Sequence, residues 1–422
     1  MKNDNQPKGP LAGLKVIEFA HVMSGPVTGL LLADMGADVI KVERLPGGDE
    51  TRRTVPPEVE GESASFMIIN RNKRAMALDA KTPEGQEIAR KLITSADIVL
   101  ENYRPGTMKR MGLDYDELQQ LNPGLVYCTI TGFGTNGPYS QRAGYDLIAQ
   151  GMSGLMGVTG EGLGRPPVKV GVPVGDVTAG ILAATGILAA YIEKLKTGKG
   201  QYVDTSLLEA SVIHTYWPAA LAFASGVSAG PMGNAHPVAA PYQSFRTQDG
   251  WINIGAIGQS NFQRIPSVLD LPGMATDPRF ATNGDRMANR DVLIQMMEEV
   301  LITRPTNDWV EAFERAGVPA GPVNTMMQML EDPQVKARKM VIQVKHPIAG
   351  QINALGCPIK FSSGDGVTSR GAPLYGEHTA EVLAEMGYGA NEITRLVKEE
   401  IIYVCDISNK YDEANQSADT IL

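Results

Sequence analysis

Hydrophobic positions in the first half of the chain fall into two alternating kinds of run. Short dense runs at 14–19, 38–43, 98–100 and 125–130 have the length and β-branched character of strands. Between them, residues 25–34, with Pro26 in the first turn, and the amphipathic stretches 82–95 and 115–121 read as helices. Strands that alternate with helices predict an α/β fold with a large, open, mostly parallel sheet of Rossmann-like type. A longer stretch, 181–195, is rich in Ala, Ile and Leu and breaks at Lys196-Thr-Gly-Lys-Gly200. It predicts a long helix that opens near Asp176, in Gly171-Val-Pro-Val-Gly-Asp-Val-Thr-Ala-Gly180.

The second half is organised differently. Residues 1–217 form the first part of the large domain, and at 218–245 the texture turns to Ala, Gly, Pro and Ser with little period, which reads as a linker. A smaller α+β domain is predicted over 246–335, with a turn at 245–250, a strand at 251–255 and helices near 260–270, 288–302 and 307–316. Residues 336–402 return to the large domain through short strands and one last helix. A polar tail, 403–422, is weakly patterned and reads as frayed or partner-dependent.

Composition narrows the function classes. With 422 residues, 43% hydrophobic and 20% charged, the chain has the make-up of a globular enzyme with a large core. A net charge of −9 argues against nucleic acid as a partner. Cys128, Cys357 and Cys405 form neither a disulfide framework nor a zinc spacing, and no metal site is expected. The first residues lack the apolar core of a signal peptide, and the apolar stretch 179–192 is short for a membrane span. These features predict a cytoplasmic protein with no membrane partner.

The candidate chemistry starts at Asp176. A carboxylate at the first turn of a helix meets unpaired backbone N–H groups and the positive end of the helix dipole, so it is either an N-cap or a held nucleophile. Gly132-Phe-Gly-Thr-Asn-Gly137 matches G-x-G-x-x-G after a strand. The residues that follow, Pro138 to Gly144, have no helical period, which argues against a dinucleotide fingerprint. Cations do stand at strand ends, in Lys41-Val-Glu-Arg44 and in Asn102-Tyr-Arg-Pro-Gly106 with Arg110, where the phosphates of an adenine-bearing ligand would dock. His21, His214, His236, His346 and His378 are scattered and build no catalytic pair, and His236 is either a cleft-facing residue or a turn histidine. Catalysis therefore rests on a carboxylate.

Several short segments carry a resemblance. They are Arg44 in Lys-Val-Glu-Arg, Asn72-Lys-Arg74, Leu78-Asp-Ala-Lys81, Glu101-Asn102, Arg110-Met-Gly112, Gly144-Tyr-Asp146, Gly175-Asp176, Thr197-Gly-Lys-Gly-Gln201, His236 to Gln243 and Gly376-Glu-His378. In this order, over roughly residues 11–402, they resemble the class III CoA-transferases of the formyl-CoA transferase and carnitine CoA-transferase type. The resemblance implies an interlocked homodimer, with a large α/β domain built from both chain ends and a smaller domain between. It implies Asp176 as nucleophile and a coenzyme A site at Met23, Ser24, Arg44, Leu78 to Lys81, Asn102, Tyr103, Arg104, Arg110 and Arg142 to Tyr145. Acyl-CoA is then a substrate, and no cofactor is permanently bound. Formyl-CoA transferases carry Gln where this chain has Met23, which points away from formyl and oxalyl substrates. Their glycine-rich lid has only Gly255-Ala-Ile-Gly-Gln259 as a counterpart here.

The chemistry that the resemblance implies is covalent. The aspartate attacks the thioester to give a mixed anhydride, CoA thiolate attacks the aspartyl carbonyl to give an aspartyl-CoA thioester, and the acceptor acid reverses the sequence. Related racemases carry His where this chain has Tyr145. A phenol with a pKa near 10 is a poor second base at neutral pH. The sequence thus favours a CoA-transferase over a 2-methylacyl-CoA racemase or a non-catalytic CoA-binding protein. Its surroundings look like those of enzymes that use succinyl-CoA and a dicarboxylic acid. Arg52, Arg53 and Arg165 are candidates to hold a distal carboxylate, as are Tyr145 and His236 for the substrate, against the alternative of surface charge or structural ion pairs.

Overall fold

A computed structural model describes residues 9–362, 366 and 370–406. The polar tail from residue 407 onward lies outside the described residues. The described residues divide into two compact units, one drawn from 9–155, 170–217 and 334–406, the other from 156–169 and 218–333.

The first unit is built on a seven-stranded sheet. Its strand order is Ile402–Tyr403, Arg74–Leu78, β2 (Asp38–Arg44), β1 (Lys15–Phe19), Ile98–Glu101, Val126–Thr131 and Tyr202–Ser206. All neighbours are parallel except the edge strand Ile402–Tyr403, which runs antiparallel to Arg74–Leu78. Helices cover both faces, so the strands are buried on both sides. Val16, Ile17, Ile40, Met76, Val99 and Val126 are all sealed in two apolar cores, one on each face. A hairpin of Val341–His346 with Gly350–Leu355 completes this unit together with two helices, Thr379–Glu385 and Ala390–Lys398, where the sequence pattern had suggested one.

Two helices position the site. Helix α1 (Ser24–Asp34) follows β1 directly, and it lies against the long helix Val174–Thr197, to which the Thr28 hydroxyl donates at Gly180 O, 3.1 Å. The long helix has 24 residues, longer than the apolar stretch read from sequence, and has the length and hydropathy to cross a bilayer. Its apolar side chains Ala179, Ala183, Ile187 and Ala190 instead enter the core beside Val126, Cys128 and Ile130, as in a covering helix of an α/β sheet.

Polar residues inside β1 and β2 are the chief departure from the sequence reading. Glu18 and Lys41 are fully buried, and Lys41 does not face a phosphate. The Lys41 ammonium lies 3.1 Å from Glu18 and 2.9 Å from Asp49, while Lys73 reaches Glu18 at 2.9 Å. Burial opposes charge at Lys41, but Asp49, Glu18 and Glu43 outweigh it and hold the ammonium protonated. At Lys73 burial prevails and the pKa falls to about 8.

The second unit has its own core around a three-stranded antiparallel sheet, in the order Ala320–Pro322, Trp251–Gly255, Tyr242–Arg246. Phe245, Ile252, Ile254, Met297, Trp309 and Phe313 fill it, with the Trp309 indole N–H bonded to Leu301 O at 2.9 Å. The stretch expected as a linker, 218–245, contains part of the helix Tyr216–Ser225 and the start of a paired strand. Its Ala-rich run has helix propensity but no polar period to reveal it. The excursion 156–169 into this unit left no trace in the hydrophobic pattern.

Candidate active site

A cleft of about 340 Å3 opens in the first unit at the carboxyl ends of β1, Ile98–Glu101 and Val126–Thr131, where open α/β sheets place their ligands. Its walls include His21 to Ser24, Glu50, Asn102 to Pro105, Ile130 to Gly132, Arg142 to Tyr145 and Asp176.

Asp176 occupies the third position of the long helix, whose N-cap is Pro173 with no side-chain bond. The cap comes from elsewhere in the chain. Asp146 Oδ1 accepts from the backbone N–H of Gly175 at 2.7 Å and from that of Asp176 at 3.3 Å. Gln150 donates to the other Asp146 oxygen at 2.6 Å and accepts from Val170 N at 2.9 Å. Asp176 is therefore not the cap. Its carboxylate makes no hydrogen bond to any described residue and faces the cleft. Burial first, and the Asp146 charge second, push its pKa up to about 6. The carboxylate is left partly desolvated, ionised near neutrality and free of structural bonds.

Gly175 is required here for space. A β-carbon there would stand 2.7 Å from Ser211 Oγ and 3.0 Å from Asp146 Oδ1, so any larger residue would push the capping carboxylate away. The backbones of Gly132 and Gly144 likewise cross so closely that a β-carbon on either would lie 2.8 Å from the other's Cα. This crossing, not a dinucleotide turn, is the use made of the glycine-rich segment, and it sets Arg142 and Tyr145 on the cleft wall.

The loop between β1 and α1 is anchored from three sides. Lys41 donates to Ala20 O at 2.6 Å, and Asp49 accepts from Val22 N at 3.1 Å. Asn102 accepts from His21 N at 2.9 Å and donates to His21 O at 2.8 Å. Between these anchors Val22 adopts φ 65°, a left-handed conformation that β-branched residues avoid.

The residues singled out from sequence divide accordingly. Met23, Ser24, Asn102, Tyr103, Arg104, Arg142, Tyr145 and Asp176 all line the one cleft. The Arg104 side chain has no hydrogen-bond or ion-pair partner among the described residues, and that of Arg142 only stacks over Tyr139, 3.8 Å from the ring centroid. Both guanidiniums are open to an anion. Arg44 sits beside the cleft and pairs with Glu50 at 2.8 Å. Leu78 is a core side chain, while Lys81 and Arg110 are exposed away from the cleft lining, Arg110 bonding Thr107 at 3.0 Å. Arg53 reaches back to Gly47 O and Arg165 is a surface residue near Glu161. His236 belongs to the second unit, where its Nδ1 accepts from Val238 N at 3.2 Å as a turn histidine does.

Arg52 is not available to a substrate. It grips Glu43 with two bonds of 2.7 and 2.6 Å, donates to Pro373 O at 3.1 Å and lies 3.6 Å from the Phe66 ring centroid. Replacing it with Ala would strand Glu43, whose side chain is 1% exposed. Arg52→Ala is expected to lower unfolding free energy by about 3–5 kcal/mol, read by denaturant melts. The sequence reading gave no role to His21 and Glu50 on the cleft wall, nor to Asp146, which caps the helix bearing Asp176. Asp146 was within reach, since it lies two places after Gly144 of the glycine crossing and next to Tyr145; nothing local marked the other two. Among the described residues, no cluster of His, Cys, Asp or Glu gathers as a metal site.

Residues 11–379 match CoA-transferase family III. The chain belongs to that family. A human succinyl-CoA:glutarate CoA-transferase is 39% identical over 377 residues, spanning 89% of this chain and 86% of its own. A succinate–glutarate CoA-transferase of Agrobacterium fabrum is 41% identical over 385 residues, 90% of this chain and 96% of that one. Among solved structures, a CAIB/BAIF family protein from Brucella suis superposes with a TM-score of 0.81 at 42% identity, covering 90% of this chain and 100% of the other. For this family III CoA-transferase, then, the substrates are an acyl-CoA thioester and a carboxylic acid, and the α/β architecture read from sequence is that of the family's solved structures.

Proposed function

We propose that the enzyme moves CoA from succinyl-CoA to a small dicarboxylic acid, with Asp176 as the covalent carrier. The observation that carries this reading is the state of Asp176: a half-buried carboxylate in the first turn of a helix that Asp146 caps, sharing a cleft with two open guanidiniums. Attack on the thioester gives the Asp176 anhydride. CoA sulfur then attacks the aspartyl carbonyl, the donor acid leaves, and the acceptor acid reverses both steps. Arg104 and Arg142 supply the positive charge that the phosphates of CoA or the far carboxylate of the acid need. The named acids of the human and Agrobacterium fabrum relatives support a dicarboxylate. The same reading takes the protein as a cytoplasmic homodimer, in which a second copy covers the exposed apolar side chains Ile181, Ile192 and Leu195 of the long helix.

The test is mass spectrometry of the enzyme mixed with succinyl-CoA, quenched within seconds and digested. An acyl or CoA adduct confined to the peptide bearing Asp176 is expected, with loss of the adduct in Asp176→Asn. No adduct across a panel of acyl-CoAs, with solvent deuterium entering the α-carbon of a 2-methylacyl-CoA, would identify a racemase instead.

A further inference from the structure

The cleft holds another reactive side chain, which the transfer written above leaves unused. His21 lies on its wall with the side chain 33% exposed, and its Nδ1 stands 2.6 Å from Glu50 Oε2. The second Glu50 oxygen is 2.8 Å from the Arg44 guanidinium, which fixes the carboxylate from behind. Asn102 pins the His21 backbone on both sides, and the ring meets Tyr103 edge-on with centroids 5.3 Å apart. Nε2 has no hydrogen-bond partner among the described residues. An imidazole oriented through one nitrogen by a carboxylate, and open at the other, is the arrangement of a proton carrier. The next residue, Val22, is held in the left-handed region, so the chain accepts strain where this ring is presented.

We propose that His21 is a further catalytic residue, which hands a proton to the CoA sulfur as the thioester breaks and takes it back when the sulfur attacks again. The inference rests on the reading of Asp176 as covalent carrier. In the first step the Asp176 oxygen bonds to the acyl carbon, the C–S pair leaves on sulfur, and the imidazolium gives sulfur its Nε2 proton. The products are the anhydride, a neutral CoA thiol and neutral His21. In the second step Nε2 removes the thiol proton while sulfur bonds to the aspartyl carbonyl, and the donor carboxylate leaves with the C–O pair. The imidazolium is restored, and Glu50 balances its charge throughout. Such a carrier holds the sulfur as a neutral thiol for as long as the anhydride stands and returns it to a thiolate only for attack on the aspartyl carbonyl.

Three variants test this. His21→Gln is expected to lower kcat about 10²-fold or more while KM for succinyl-CoA stays within about threefold. In His21→Ala, added imidazole is expected to restore at least about tenfold of the lost rate, which a purely structural histidine would not show. Glu50→Gln keeps the shape of the dyad and is expected to lose about tenfold in kcat. Thermal melts and succinyl-CoA binding establish that each variant is folded. A His21→Gln enzyme with kcat within threefold of the parent overturns the proposal, as does a folded His21→Ala enzyme that imidazole leaves unchanged. Failure of the underlying reading looks different: the unaltered enzyme would then form no adduct on the Asp176 peptide.

Discussion

Asp176→Asn is expected to remove CoA transfer, by about 10³-fold or more, and at the same time to make the protein more stable. An amide cannot attack a thioester, and no neighbouring carboxylate takes over, because Asp146 is committed to the helix amides. The stability gain follows from the titration. Burial and the Asp146 charge raise the folded-state pKa from 3.8 to about 6, so the folded protein binds that proton more tightly than the unfolded chain. The resulting stabilisation is complete below the unfolded pKa and is lost as pH rises through about 6. At neutral pH the native state therefore carries the cost of an ionised, half-buried carboxylate. A shift of this size corresponds to about 3 kcal/mol, and to about 2 kcal/mol once solvent screening is allowed for. Asp176→Asn should thus melt several degrees higher than the parent at pH 7.5, with the difference vanishing near pH 4. Calorimetry at the two pH values checks the sign. The same titration predicts that transfer activity falls with pH below about 6, as Asp176 takes up its proton.

The second large effect belongs to Asp146, and two substitutions there separate position from charge. Asp146→Ala removes the acceptor for Gly175 and Asp176 N–H, costing about 1–2 kcal/mol as lost caps do. It also frees the first turn to move, and kcat is expected to fall about 10²-fold. Asp146→Asn keeps an oxygen for those amides and removes the negative charge beside Asp176. Its acid limb should move to lower pH, because the second cause of the raised pKa has gone. The Asn amide group then faces Gln150 Nε2, which now donates to Asp146, so one hydrogen bond is lost at about 1 kcal/mol. A pH–rate profile of the two variants decides the matter. An unmoved acid limb in Asp146→Asn would show that burial alone sets the Asp176 titration.

The contrast between Asp176 and Asp146 shows how far the sequence could be read. A Gly-Asp pair at the start of an apolar helix is a local signal, and the aspartate it singles out does stand on the cleft wall. The cap that releases Asp176 from structural duty stands 30 residues earlier, and no local pattern announces an acceptor that distant. The β1 and β2 strands misled in another way. Lys41 reads as a strand-end cation available to a phosphate, but a parallel sheet covered on both sides buries it, and its ammonium pairs with Glu18 instead. Several segments that carried the family resemblance hold the fold and not the ligand. His378 accepts from Ala75 N at 3.3 Å, with burial lowering its pKa to about 4, and Arg74 ties Asp38 to Glu381 and Glu385. A motif match therefore located the family more surely than the chemistry of each residue in it.

The three anchors of the β1–α1 loop have a consequence for how such an enzyme can diverge. Lys41, Asp49 and Asn102 all grip main-chain atoms of Ala20, His21 and Val22, the residues that precede Met23. The shape of the loop is thus inherited from the sheet beneath it, and the residue at 23 is a replaceable tip on a fixed mount. A polar side chain placed there would change the chemistry of the cleft wall while the mount that presents it stayed as it was.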